Sequence, residues 1–516
     1  MIEILKKIKS KRYEEAHKLC IDLIHKDVND ARAYYGLGII TFDHKNFTKA
    51  AELYGKATEL EPKRAAFWAA YGKTLSLLGR QSEAHTAIEN AAKLPIQDAI
   101  TADTIAVVYS RTGFHERAIP FFQKAIALDP QPANFYYNLG SSLQFSGRFE
   151  EAAEAYQSAI SREPNSYKAY SGLVALRKQT KDTSTLEKLT TLFEKNHKDA
   201  DATLHLGHAI AKTYEDLGEH DQSLHWLTRA KTMNAAKFAV DIQAQSALFE
   251  ASKKTFTAKS SEDTDFDTSA PIFVVGLPRT GTTLVDRILS SHPEVTAAGE
   301  TNVFAGLVKG ATQTTDNMVL DAKTLLAATS VNMAPIGRHY VANTKALARG
   351  APRFTDKMPL NFFYAGLIHK ALPNARIIVL RRGAMDSCIS NYRQLFSTQY
   401  SYYNYTYNLE STGHFYRGFD DLIAHWKATL PANRFMEVHY EDIVFDQEAQ
   451  TRKLLEFCDL SWDEACLRFH ENDTPVSTAS SVQVRQPLYA GSIGRWKKYS
   501  TGLTSLRKAL GDLAET

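Results

Sequence analysis

Four cysteines in 516 residues are too few for a disulfide scaffold, and Cys20, Cys388, Cys458 and Cys466 lack the close spacing of a metal site. A reducing compartment, the cytoplasm, is the expectation. No apolar run reaches the roughly 18 residues that a spanning helix needs, so no membrane span is expected. Met1 to Glu15 is rich in lysine and holds no apolar core of signal-peptide length. Charge of one sign is also lacking: 61 Lys and Arg face 58 Asp and Glu, for a net +3. No global field therefore points to nucleic acid, and any anion site must be local. What is present is ordinary for a globular chain, 44% apolar and 23% charged, and its length calls for two or three domains.

The first half is periodic. Alanines recur at Ala16, Ala50, Ala84, Ala118 and Ala152, a constant step of 34 residues. A large residue follows each of the last four at one offset (Tyr54, Ile88, Phe122, Tyr156), then a small one (Ala57, Ala91, Ala125, Ala159). Prolines close units at Pro62, Pro130 and Pro164, and Tyr34-Leu37-Gly38 matches Tyr136-Leu139-Gly140 in the leading helices. Small residues let two antiparallel helices approach, and large ones fill the gap to the next pair. The pattern resembles the tetratricopeptide (TPR) repeat. It covers four units from about 31 to 164, a half unit before them, and a looser unit at 200–232 whose first helix is longer by a turn. The resemblance implies an α-solenoid whose concave surface takes a peptide or protein. Dimerisation and plain packing are the other readings of that surface.

Polar residues from Lys253 to Ser269, with Ser260-Ser261-Glu262-Asp263, mark the expected boundary. The expected domains are a helical-repeat domain at 1–250, a linker at 251–269 and a second domain at 270–516.

That second domain opens on Pro271-Ile272-Phe273-Val274-Val275-Gly276, a buried strand, followed by Leu277-Pro278-Arg279-Thr280-Gly281 and a helix from Thr282. Strand, Gly-bounded loop and helix N-terminus make a phosphate cradle, because loop N–H groups and the positive helix end converge on one anion. The spacing from Gly276 to Gly281 is that of the ATP-binding loop G-x-x-x-x-G-K-[ST]. The lysine is missing: position 282 is Thr, and Arg279 lies within the loop instead. An anionic nucleotide other than ATP is the expectation. Thr282 and Thr283 read both as helix caps and as anion contacts.

Further strands are expected at Arg353–Lys357, Arg376–Leu380 and Arg434–Val438, alternating with helices, hence a parallel sheet with ligands at its C-terminal strand ends. Arg381 and Arg382 finish one strand, and Ser390 lies eight residues after Arg382 on the next helix. Pro-Arg-Thr-Gly-Thr-Thr together with Arg382…Ser390 resembles the sulfotransferases that use 3′-phosphoadenosine 5′-phosphosulfate (PAPS). That resemblance implies a first loop (Arg279, Thr280, Gly281, Thr282, Thr283) for the 5′-phosphosulfate and an Arg382–Ser390 pair for the 3′-phosphate. It spans about 271–500 and is nearest to the protein-tyrosine sulfotransferase branch.

Within that branch, Ser291-His292-Pro293-Glu294-Val295 and Gly299-Glu300-Thr301 resemble the stretch of the catalytic glutamate, which maps onto Glu300. Asp356-Lys357-Met358-Pro359 resembles the segment of a lysine that stabilises the transferring group. Val438-His439-Tyr440-Glu441 resembles a segment whose tyrosine contacts the nucleotide. Ser480-Ser481-Val482-Gln483-Val484 and Arg495-Trp496 resemble the C-terminal cofactor strap, where Ser481 carries over and Arg495 replaces a lysine, keeping charge but changing geometry. The branch's arginines for an acidic peptide are absent from Thr301-Asn302-Val303-Phe304. Tyrosine in an acidic peptide is therefore not assumed as the acceptor.

Other residues carry competing readings. Arg381 reads equally as a partner of a neighbouring helix, and Asp386 as an orienter of the arginines or a helix cap. Tyr440 reads as a core aromatic or a nucleotide contact. His292 reads first as a turn residue, with His414 and itself as minor candidates for a histidine base. The run Tyr400, Tyr402, Tyr403, Tyr405, Tyr407 reads as packing between domains or as a lid.

The expected fold is α plus α/β: an N-terminal TPR α-solenoid, then a P-loop-like α/β sulfotransferase domain with a parallel sheet. The expected chemistry is transfer of a sulfuryl group from PAPS to an acceptor hydroxyl, releasing adenosine 3′,5′-bisphosphate, with no metal. Glu300 would serve as base and Lys357 as stabiliser of the leaving group. A P-loop kinase or NTPase and a non-enzymatic TPR scaffold are the rival classes.

Overall fold

A computed structural model gives the fold, describing residues 1–516 other than 183–184, 258–265, 315–319, 346, 399–400, 473, 475–477, 479–482, 500, 516 and the side chain of Gln81. Ser481, Tyr400 and the polar run Ser260 to Asp263 thus lie outside the described residues. By contacts the chain forms two compact units, Met1–Pro164 and Asn165–Thr516.

The first unit is built of helical hairpins: Ala31–Asp43 with Phe47–Leu60, Ala65–Leu77 with Gln81–Ala92, Ala99–Arg111 with His115–Leu128, and Ala133–Phe145 with Phe149–Arg162. Ala16, Ala50, Ala84, Ala118 and Ala152 are all fully buried. Close approach explains the glycines of the leading helices. A Cβ on Gly38 would stand 2.6 Å from the Tyr54 ring, and one on Gly72 2.8 Å from Ile88. Each large residue that closes such a gap, Tyr54, Ile88, Phe122 or Tyr156, is 3% exposed or less, and its burial stabilises by about 1.5–3 kcal/mol. Helix starts are fixed locally: Asp30, Asn46 and Asp98 accept first-turn N–H groups.

The second unit begins with helices Tyr167–Leu176, Leu186–Lys195, Ala200–Asp216, His220–Lys237 and Ile242–Lys253. Ala200–Asp216 has 17 residues against 13 for the leading helix Ala133–Phe145, which is the extra turn expected at 200–232. There Gly207 packs directly on Ala230, too close to leave room for a Cβ. These helices are tied to the sheet-bearing part of the same unit. The Thr228 and Tyr392 hydroxyls lie 3.2 Å apart, the buried Lys231 ammonium donates to the Thr406 carbonyl at 2.8 Å, and the Ser252 hydroxyl to the Phe363 carbonyl at 2.6 Å. Ser252, Thr255 and Phe256, at the start of the segment read as a linker, are buried.

The sheet has strands β1 (Pro271–Gly276), β2 (Val295–Ala297), β3 (Arg353–Asp356), β4 (Arg376–Arg381) and β5 (Phe435–His439). They run parallel in the order β2-β3-β1-β4-β5. Every residue of β1 is buried, as a central parallel strand covered on both faces requires. The three-residue edge strand β2 was not expected from the sequence; it is too short to show a period. The chain leaves β1 for β2 on one side and β4 for β5 on the other, so the ends of β1 and β4 flank the switch point where such sheets bind ligands. Four strand ends converge there: the loop after β1, Lys357 after β3, Arg381–Arg382 at the end of β4, and Tyr440 after β5.

Candidate functional site

The loop after β1 owes its shape to two glycines. Gly276 has φ +145°, and a Cβ there would meet the Leu380 carbonyl of β4 at 2.5 Å. Gly281 has φ +104° and abuts the Tyr440 ring, 2.8 Å from where a Cβ would stand. Arg279 is held at φ +66°, an unusual conformation for a residue with a side chain. The Thr280 hydroxyl donates to the Leu277 carbonyl at 2.7 Å, and Asn391 donates to the Pro278 carbonyl at 2.7 Å, so the loop is tied from within and from outside. Gly281 caps the helix Thr282–Ser290 without a side-chain acceptor. A helix's first-turn N–H groups have no intrahelical partner, so this end suits an anion. Thr282 and Thr283 are buried in that turn.

Around this loop gather Arg279, Arg382, Arg393 and Arg495. Desolvation, then the charges of Arg393 and Arg382, push the Arg279 guanidinium down to about 10, with Arg495 adding to the effect. Arg382, 7% exposed, donates Nη1 to the Arg279 carbonyl at 3.2 Å and Nη2 to the Ser492 carbonyl, and lies over the Tyr440 ring at 5.1 Å. Its Nε and that of Arg393 are buried without an acceptor among the described residues. Arg382, Arg393 and Arg495 share two carboxylates, Asp386 (3.8 Å from Arg382) and Glu215. Three cations against two anions, with two orphaned N–H groups, make a site that suits an added anion.

Asp386 does more than face Arg382. Its carboxylate accepts the backbone N–H of Gly494 at 2.6 Å and of Trp496 at 3.0 Å, hitching the C-terminal strap to the helix Ala384–Arg393. Ser492 on the same strap makes a 2.6 Å hydrogen bond with the Tyr440 hydroxyl. Arg279 Nη2 donates to Gln483 Oε1 at 2.9 Å. Loop, β4 end, Tyr440 and strap therefore form one connected group.

Glu300 and Lys357 meet through backbone register. β2 runs beside β3, Ala298 N–H donates to the Thr355 carbonyl at 2.8 Å, and Lys357 N–H donates to the Gly299 carbonyl at 3.0 Å. The next residue, Glu300, is thereby brought to Lys357, whose Nζ donates to Glu300 Oε1. Two further carboxyls lie beneath. Asp356 is fully buried and pushed up to about 7 by burial, while Thr301 and Tyr340 each donate to its Oδ2 at 2.8 Å. Asp286, from the helix after the loop, is raised by burial and feels the Lys357 charge, with the Thr355 hydroxyl donating to it at 2.5 Å.

The other residues singled out in the sequence are placed as follows. Ser390 is half-buried on the helix Ala384–Arg393, with no hydrogen bond to Arg382 among the described residues. Arg495 faces Glu215, its Nε donating to Oε1 at 2.9 Å. Arg381 is taken by Asp420 of the helix Leu409–Thr429 and by Glu437 of β5. His292 is a turn residue: Nδ1 accepts the Glu294 N–H at 3.2 Å and Nε2 lies 3.0 Å from the Ser461 carbonyl. In the tyrosine run, Tyr405 stacks on Phe415 at 3.8 Å and donates to Asn391, and Tyr407 stacks on Phe238. Those two tyrosines are packing residues. Glu215, Arg393, Asn391 and Ser492 were not singled out in the sequence, because each is far along the chain from the motif it supports.

Among the described residues, no cluster of three or more His, Cys, Asp or Glu is placed to hold a metal, and no helix is long and apolar enough to cross a membrane.

Known proteins resemble both parts of the chain in sequence. Residues 271–464 match the model of the sulfotransferase family, and residues 7–62 and 113–182 match tetratricopeptide repeat models. The chain thus carries a sulfotransferase-family domain behind tetratricopeptide repeats. An uncharacterized protein of Aquifex aeolicus is 27% identical over 70% of this chain and 48% of its own length. The protein-tyrosine sulfotransferase of Drosophila melanogaster is 26% identical over 44% of this chain and 46% of its own. Protein-tyrosine sulfotransferase A of Caenorhabditis elegans is 26% identical over 46% and 64%. The chain therefore spans about half to two thirds of the length of these relatives. Among solved structures, the sulfotransferase domain of the Synechococcus PCC 7002 olefin synthase covers 50% of this chain and 98% of its own, at 20% identity and a TM-score of 0.35.

Proposed function

We propose that this protein is a PAPS-dependent sulfotransferase acting on an acceptor hydroxyl. The observation that carries the reading is the cluster of Arg279, Arg382, Arg393 and Arg495 beside a lysine-less phosphate loop, with the Lys357–Glu300 pair on the adjacent strand end. The sulfotransferase-family match and the tyrosine sulfotransferase relatives support it from outside the geometry.

PAPS, when bound, supplies an activated sulfuryl group and a leaving phosphate. The chain's own residues do the rest. The loop N–H groups, Thr282, Thr283 and Arg279 would hold the 5′ end, and Arg382 with Ser390 the 3′-phosphate, the orphaned Nε of Arg382 being one donor in waiting. Tyr440, packed between Gly281 and Arg382, would contact the nucleotide. Ser481 and Arg495 would belong to the strap that covers it. Glu300, a third exposed, is placed to take the acceptor's proton. Lys357 would stabilise charge on the leaving oxygen without rearranging, as a fixed electrostatic donor. Most of the acceleration would then come from positioning and electrostatics. The repeat surface would present a peptide or protein acceptor, with tyrosine or another hydroxyl reacting.

A P-loop kinase is disfavoured by Thr282 where the loop lysine would stand. Calorimetric titration with adenosine 3′,5′-bisphosphate, with ATP and 5′-AMP as controls, tests the reading. Selective binding of the bisphosphate, followed by transfer from labelled PAPS, is expected. Preference for ATP would overturn it.

A further inference from the structure

Glu215 stands apart from the motifs of the transferase half. It is the last residue but one of the helix Ala200–Asp216, in the helical segment that precedes the sheet. Its carboxylate is 6% exposed and holds two arginines: Arg393 on Oε2, and Arg495 on Oε1 through Nε at 2.9 Å and Nη2 at 2.5 Å. Burial opposes its ionisation, but the two guanidiniums outweigh burial and keep the carboxyl below its ordinary value. Both arginines belong to the loop's electrostatic surroundings, since each acts on Arg279. Arg393 closes the helix that begins beside Arg382, and its Nε is buried without an acceptor among the described residues. Arg495 lies on the strap, one residue from the two backbone groups that Asp386 holds.

We infer that Glu215 is a positioning residue of the nucleotide site, so that the helical segment contributes to donor binding rather than only to partner binding. The inference rests on the proposed PAPS reading. A guanidinium tethered at one edge has lost its rotamer freedom beforehand and meets an anion with its remaining N–H groups already placed. Glu215 tethers two such groups from two different elements, the helix after β4 and the strap, and so sets their spacing. The sign of the effect separates this role from a simple field. Removing one negative charge would by field alone tighten anion binding, whereas losing a tether weakens it.

The experiment is calorimetric titration of adenosine 3′,5′-bisphosphate into the full chain and into Glu215→Ala and Glu215→Gln, with thermal unfolding as a check on folding. The expected result is affinity about tenfold or more lower in both variants. In turnover, KM for PAPS rises while kcat at saturation stays within about twofold, since neither arginine is assigned to the acceptor's proton. If Glu215→Ala fails to fold, the isosteric Glu215→Gln decides. Unchanged or tighter binding in a folded variant overturns the inference and leaves the nucleotide reading standing. Failure of the parent chain to bind the bisphosphate overturns both.

Discussion

Lys357 is 1% exposed and its ammonium donates to Glu300, whose side chain is 34% exposed. The lysine is thus fixed from below by the sheet while the carboxylate keeps a face toward solvent. Under the proposed function the pair has separable tasks. Lys357→Ala is expected to lower kcat by roughly 100-fold or more, the usual cost of about 2.7–4 kcal/mol for one preorganised charged donor. Glu300→Gln should lower kcat comparably and leave bisphosphate affinity unchanged. Steady-state kinetics with calorimetry check both.

Arg382 touches the loop carbonyl, the strap carbonyl and the Tyr440 ring. Under the proposed function Arg382 reads the extra phosphate, so Arg382→Ala should abolish the preference for adenosine 3′,5′-bisphosphate over 5′-AMP. Calorimetry with the two nucleotides measures it; a retained preference would place the 3′-phosphate elsewhere.

Asp386 is the hook of the strap through Gly494 and Trp496. Asp386→Ala leaves two strap N–H groups without their acceptor and is expected to loosen the strap before it unfolds the domain. Limited proteolysis should cut faster near Gly491–Trp496, and bisphosphate affinity should fall about tenfold. Protection by added bisphosphate should be weaker than in the parent chain.

Asp356 makes stability depend on pH. Burial raises its folded pKa to about 7, above the ordinary value of 3.8 that applies when the chain is unfolded. Between these values the folded chain binds more proton than the unfolded one, so this contribution is full below about 3.8 and is lost as pH rises through 7. Asp356→Asn should flatten the pH dependence of the unfolding midpoint across that window. An unchanged profile would show that Asp356 titrates normally.

Much of the architecture was legible. The 34-residue step of buried alanines, the strand–loop–helix at 271–290 and the apolar runs at Arg376–Leu380 and Pro271–Val275 carry period and length signals that local chemistry enforces. The longer helix at Ala200–Asp216 was also readable, because Gly207 and Ala230 keep the repeat's small-on-small contact. The three-residue β2 was not, since it shows no period of its own and exists by pairing with β3.

The site divides along the same line. By itself the sequence determined which residue types were available: a Gly-bounded loop with arginine in place of lysine, arginines at the end of β4, a glutamate and a lysine near strand ends. Such features are local, fixed by backbone conformation and spacing within a few residues. Only the tertiary structure decided their partners. It gave Arg381 to Asp420 and Glu437, placed Arg382 between loop and strap, and set Glu215 against Arg393 and Arg495 across 178 and 280 positions of chain. Charge pairing acts through space and is blind to sequence separation, so no local pattern announces it.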